Sequence, residues 1–138
     1  MQSQLRKDLI LDEGDVPHAY QDHLGFWTIG VGFLIDKRKG GYLPEPVRDF
    51  WLDYLIKKTS TDLASRWDYF NVLSDDQKRG FLNMAYQMGV NGLLKFKNAL
   101  AAAEDSDWDT CYIELLDSKW AKQTPERAKR VAALICGR

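Results

Sequence analysis

The sequence predicts an α+β domain, with a small β-hairpin region near the N-terminus and a mainly helical remainder. Three observations carry this. The run Trp27-Thr-Ile-Gly-Val-Gly-Phe-Leu-Ile35 is β-branched and Gly-rich, as strands and tight turns are. From Pro46 onward, apolar residues recur at helical spacing. Helix-start signals then punctuate the chain, among them Ser74-Asp-Asp-Gln77 and Thr124-Pro125. A chain of 138 residues holds one hydrophobic core. The expected organisation is a single domain over residues 1–138. Its small β lobe covers about 14–45, and its helical lobe covers 1–13 and 46–138.

Leu5, Leu9 and Ile10 repeat at helical spacing from Ser3 to Glu13, and Gly14 stops the run. Glu13 thus falls in the last turn of a first helix. The partial negative charge of a helix end disfavours a carboxylate there, so a Glu is a local violation of the kind found at functional sites. Pro17 and the Gly14-Asp15 pair predict a turn. His18–Asp22 and Trp27–Ile35 read as strands joined around His23-Leu24-Gly25. The charged, Gly/Pro-rich stretch from Asp36 to Pro46 reads as a loop or minor hairpin between the two lobes.

Val47, Phe50, Trp51, Tyr54 and Leu55 open a helix that extends toward Trp67, with Thr59-Ser60-Thr61 weakening its middle. The capping box at Ser74 begins a helix through Phe81, Leu82, Met84, Ala85 and Met88 that stops at Gly89. That run is apolar on nearly every side, which places it at the centre of the helical lobe. Leu93–Ala103 is the next helix. Ser106 or Asp107 caps another, which carries Trp108, Cys111, Tyr112, Leu115 and Leu116. Thr124-Pro125 opens the last, which runs to about Cys136 with Gly137 as its stop.

Composition bounds the function. Apolar residues are 45% and charged residues 28% of the chain, an ordinary globular balance. No apolar run is long enough to span a bilayer, so stable membrane insertion is not expected. Residues 1–8 lack an apolar core, so no signal peptide is expected either. A formal charge of −1 argues against a nucleic-acid partner. The segment from Lys119 to Arg138 is basic, which suits either an anionic polymer or a solvated helix face. Cys111 and Cys136 lack Cys-x-x-Cys spacing and read as buried free thiols. His18 and His23 lack ligand spacing, so neither a metal site nor a cofactor is expected.

Glu13, Asp22 and Thr28 carry the chemistry. Acetal hydrolysis needs a protonated acid beside the leaving oxygen and a second carboxylate that attacks or activates water. The two carboxyl groups must sit in different environments to hold different protonation states. Glu13 ends an apolar helix, Asp22 lies in a polar turn, and a hydroxyl at Thr28 can orient water. Taken alone, such a pair is more often a structural ion-pairing element.

Glu13, Asp22 nine residues on and Thr28 six further stand with Tyr20, Gly25, Ile29, Gly30 and Gly32 in an arrangement that resembles the phage T4-type lysozyme family. Two later segments resemble the same family. One is Asn83-Met-Ala-Tyr-Gln-Met-Gly89, continuing to Gly92, Phe96, Asn98 and Leu100. The other is Trp108-Asp109 followed by Ser118-Lys-Trp-Ala-Lys-Gln-Thr-Pro-Glu-Arg-Ala-Lys-Arg-Val131. Residues 36–72 match poorly.

The resemblance implies a lysozyme-like fold with an active-site cleft between the lobes. It implies an endolysin-type muramidase that cuts the β-1,4 bond from N-acetylmuramic acid to N-acetylglucosamine in peptidoglycan. By position, Glu13 is the general acid, Asp22 the partner carboxylate and Thr28 a holder of the attacking water. Leu34, Tyr86 and Gln87 fall at substrate-binding positions, and Arg127 at an Arg that reaches the catalytic Glu. The implied setting is a monomer held in the host cytoplasm until a holin-like permeabilising protein admits it to the wall in the periplasm. Phe33, Ala99 and Glu114 depart from the family's polar residues, and Tyr86 stands where the type member has Phe. Two other readings accompany this one. The first is a non-catalytic peptidoglycan-binding or assembly module. The second is a lysozyme-fold enzyme of different cleavage, such as a lytic transglycosylase or a chitinase; retention of Asp22 speaks against a transglycosylase.

Overall fold

The computed structural model describes residues 2–21, 24, 27–30, 33–34 and 41–138. The chain divides into two compact units, Met1–Trp51 and Leu52–Arg138. The architecture is α+β, as the sequence predicts.

In the first unit, helix α1 spans Gln2–Glu13. It stops because Gly14 adopts a φ of +79° while its N–H still donates to the Ile10 carbonyl at 2.9 Å. That left-handed turn suits glycine and turns the chain out of the helix. Strands β1 (Val16–Gln21), β2 (Trp27–Gly30) and β3 (Phe33–Leu34) form an antiparallel sheet in sequential order. Tyr20 pairs with Thr28, and Thr28 pairs in turn with Leu34.

Two strand expectations need correction. Pro17 lies within β1 rather than in a turn before it. The register shifts between Val16 and Tyr20, and such an irregularity on an edge strand is where a residue without an N–H fits. The run expected as one strand from Trp27 is two strands: Gly30, at a φ of +68°, ends β2, and the chain returns antiparallel as β3. Asp22 and Ile35 lie outside the described residues.

Helix α2, Glu45–Arg66, runs through the Thr-rich stretch without a break. The Thr59 hydroxyl donates to the Leu55 carbonyl at 2.8 Å, satisfying itself within the helix instead of competing with it. In the second unit, a 3-10 turn over Asp68–Val72 leads to α3, Asp75–Leu94. The capping box is present in both directions. Ser74 Oγ accepts from the Gln77 N–H at 3.2 Å, and the Ser74 N–H donates to Gln77 Oε1 at 2.9 Å.

Gly89 does not end α3, as its sequence context suggests; it interrupts it. Its φ of 81° and ψ of 157° belong to a region open almost only to glycine. The helix then resumes to Leu94, because Val90 and Leu93 are buried. Helix α4 consequently starts four residues later than expected, at Lys97, and ends at Glu104. Helix α5 is Trp108–Leu116, and of the two candidate caps it is Asp107 that accepts from Thr110 N–H. Helix α6, Lys119–Gln123, is a separate short helix capped by Ser118. Helix α7, Pro125–Cys136, has Pro in its first turn and Gly137 in the left-handed conformation after it.

The core of this unit forms where α7 packs on α3 and α5, and α5 on α4. Phe81, Leu63, Met84, Leu93, Leu115 and Ile135 are fully enclosed. Trp67 donates its indole N–H to Glu104 Oε1 at 2.8 Å, so its bulk is buried without stranding a donor. Gly80 sets the α3–α7 approach: a Cβ there would stand 2.3 Å from Ile135 Cγ1 and 3.5 Å from the Val131 carbonyl oxygen. Gly80→Ala should therefore destabilise by about 1–3 kcal/mol through overpacking, although alanine is the better helix former. A fall in the urea midpoint at unchanged slope checks this.

The Asp107 cap makes a pH prediction. Hydrogen bonds from the Thr110 hydroxyl (2.6 Å) and the Thr110 N–H (3.1 Å) hold its carboxyl below the ordinary 3.8. A lowered native pKa stabilises the fold above the unfolded value, and that stabilisation is lost as pH falls through the native value. Asp107→Asn should flatten the fall in melting temperature between roughly pH 5 and pH 2.

Candidate functional site

The first unit carries the expected acid and its neighbours. Glu13 is the last residue of α1, with Gly14 turning the chain away behind it. Its side chain, and Asp22 entirely, lie outside the described residues. Thr28 sits in the central strand, 6% exposed. The sheet register sets it opposite Tyr20 on one side and Leu34 on the other. Thr28 and Leu34, singled out separately in the sequence, thus share one rung of the sheet. The Leu34 side chain lies outside the described residues.

The second unit brings Gln87, Ala99 and Glu114 together along one groove of about 520 Å³. The half-buried Phe96 gives it an aromatic side, its ring edge-on to the buried Trp120 with centroids 6.1 Å apart. The Gln87 amide is fixed by its partners. Its Oε1 accepts from the Trp120 indole N–H at 2.8 Å, and its Nε2 donates to Thr124 Oγ1 at 3.3 Å. An indole only donates, so the amide orientation follows from the pairing. The Thr124 hydroxyl donates onward to the Trp120 carbonyl at 3.2 Å, tying α3, α6 and the start of α7 together. An aromatic wall beside an oriented amide suits a pyranose, which offers a C–H face and hydroxyl edges. Lys95, Lys97 and Lys119 face the same groove, as do Glu114 and Asp117.

Tyr86, the next residue of the expected set, faces a different hollow. That hollow is about 370 Å³ and is also lined by Ile56, Leu82, Asn83 and Arg127. Arg127 donates from Nε to Asn83 Oδ1 at 2.9 Å and from Nη2 to the Asn83 carbonyl at 3.3 Å. A two-point contact on one residue orients the planar guanidinium. Its expected partner, the Glu13 carboxyl, lies outside the described residues.

Sequence reasoning assigned no role to Asn83 and Trp120 and read Thr124 only as the start of α7, where its hydroxyl makes no cap bond; the three position Arg127 and Gln87. All three lie inside the two segments that resemble the family, which was the available signal. Among the described residues, no group of three or more His, Cys, Asp or Glu could hold a metal ion. Nor is any helix among them long and apolar enough to cross a membrane.

A sequence model of phage lysozymes matches residues 11–138, nearly the whole chain and all of the segments described above. The chain belongs to the phage lysozyme family. It is 29% identical to Probable T4-type lysozyme 2 of Dictyostelium discoideum, covering 98% of this chain and 95% of that protein. It is 30% identical to the Pre-baseplate central spike protein Gp5 of Enterobacteria phage T4, over 90% of this chain and 26% of that one. It is 26% identical to the Peptidoglycan hydrolase gp36 of Pseudomonas phage phiKMV, over 90% of this chain and 14% of that one. Membership makes the α+β fold lysozyme-like and the chain a lysozyme-type hydrolase.

Proposed function

We propose that this lysozyme cleaves the β-1,4 bond from N-acetylmuramic acid to N-acetylglucosamine in peptidoglycan, with Glu13 as general acid and Asp22 as partner carboxylate. The observation that carries the reading is the spacing of Glu13, Asp22 and Thr28 inside the family match. Glu13 protonates the departing glycosidic oxygen. Asp22, with the Thr28 hydroxyl, holds and deprotonates the water that adds to the anomeric carbon. The bond breaks, one sugar gains a new reducing end, and the other regains a hydroxyl.

The groove on the helical unit supports the same reading. Gln87, backed by the buried Trp120 and by Thr124, offers an oriented amide to a sugar hydroxyl, and the half-buried Phe96 ring beside it offers an apolar face. Leu34 and Tyr86 extend the substrate contacts, and Arg127 positions Glu13. The name of the phiKMV relative, a peptidoglycan hydrolase, supports the substrate class. The proposed setting is host lysis by a monomer that stays in the cytoplasm until a holin-like protein opens the membrane.

The likeness to a pre-baseplate spike protein favours a second setting, in which this chain works on the wall as part of a phage particle. Purified peptidoglycan tests the shared activity. The chain should clear a suspension of it while reducing ends appear. Binding without new reducing ends would instead establish a non-catalytic wall-binding module.

A further inference from the structure

The groove that holds Gln87 carries more charge than a neutral glycan uses. Lys95 follows α3 and Lys97 opens α4. Glu114 lies in the last turn of α5, Asp117 directly after that helix, and Lys119 opens α6. All of them line the same groove of about 520 Å³. Glu114 is half-buried and the others are exposed. Among the described residues, none of them forms an ion pair with another charged side chain, although both signs face one space.

Their placement runs against the helix dipoles. Glu114 and Asp117 stand at the C-terminal end of α5, which has partial negative charge of its own, and the last turn of α5 holds no basic residue. Lys97 takes the first position of α4, whose first turn holds no acidic residue and whose N-cap, Phe96, makes no side-chain hydrogen bond. The groove therefore has one end that attracts a cation and another that attracts an anion. Helix ends placed for stability alone carry the reverse, and such violations collect at functional sites. N-acetylated sugars are neutral and call for neither charge. The peptides carried on the muramic acid of peptidoglycan call for both: they bear free carboxylates and, where uncross-linked, the free amine of a diamino acid.

We propose that this groove seats the stem peptide, Glu114 and Asp117 taking the ammonium of the diamino acid and Lys95, Lys97 and Lys119 taking the carboxylates. The inference rests on peptidoglycan as the substrate and deepens it: glycan that carries free stems is held in preference to bare glycan. Glu114 is among the positions where this chain departs from the family's polar residues, so the charge preference belongs to this chain. A single exposed ion pair contributes little. Several acting on one ligand contribute more, and the half-buried Glu114, less screened than the rest, carries most of the selectivity.

The test titrates the chain by calorimetry with a soluble stem peptide that ends in a diamino acid, once with its amine free and once with that amine acetylated. Turnover is not required, so a chain that binds the peptide but releases no reducing ends would refute the hydrolysis and leave this inference standing. The free-amine peptide should bind saturably, and acetylation should weaken it by about tenfold or more. Glu114→Gln/Asp117→Asn should bind both forms alike, at the weaker level. Lys97→Gln should weaken both forms together and keep the preference. Thermal melts identify variants that have lost the fold, and the comparison of the two peptides on the wild type decides without any variant. No saturable binding, equal binding of the two forms by the wild type, or a preference that survives in the folded double variant would each overturn the proposal.

Discussion

Glu13→Gln is expected to lower the rate of peptidoglycan hydrolysis by about a thousandfold or more, within the range that general acid catalysis supplies. Glutamine keeps the size and polarity of the side chain but has no proton of suitable acidity for a departing sugar oxygen. The position of Glu13 favours such a role. It closes α1, immediately ahead of the turn that leads into β1. Gly14 then turns the backbone sharply away at a φ of +79°. A surface role would leave activity within twofold of wild type. A folding role would lower the melting temperature as well as the rate. Initial rates of reducing-end release, measured beside thermal melts of both proteins, separate these outcomes. The expected result is a collapsed rate at an unchanged melting temperature.

Phe81→Ala should have the largest effect on stability, a loss of about 3–5 kcal/mol. Phe81 is fully enclosed on α3, one residue past the glycine that lets α7 approach. Its ring meets Trp67 edge-on, centroids 5.1 Å apart at 82°. Truncation removes that contact and leaves a void among side chains that cannot collapse into it, because Gly80 already sets Ile135 close to the α3 backbone. A loss of this size is a large part of the stability of an ordinary domain. It should lower the melting temperature by roughly 10 °C or more. A shift of only a degree or two would mean that the helical unit is not built around this residue.

The helical part of the fold was legible in the sequence because its signals are local. The Ser74–Gln77 capping box, the Thr124-Pro125 start and the Gly137 stop act within one turn of the residues that carry them. What the sequence obscured depended on backbone choices that a glycine leaves open. Gly89 reads as a stop, yet the helix resumes beyond it because Val90 and Leu93 have a core to enter. Gly30 reads as part of a strand, yet its positive φ divides the strand in two. Pro17 reads as a turn residue, yet an irregular edge strand accommodates it.

The site divides in the same way. The spacing of Glu13, Asp22 and Thr28 is a sequence property and pointed to the family before any geometry. The partners that orient the groove are not. Trp120 reaches Gln87 across 33 positions, and Arg127 reaches Asn83 across 44. No local pattern pairs residues so far apart; packing of α3 against α6 and α7 does.

Mass spectrometry of a peptidoglycan digest, before and after borohydride reduction, tests the central proposal most directly. The account predicts fragments that have gained one water, each with a reducible N-acetylmuramic acid at its new end, and their absence when Glu13→Gln replaces the wild type. Anhydro ends, reducible N-acetylglucosamine ends, or the same fragments from Glu13→Gln would contradict it.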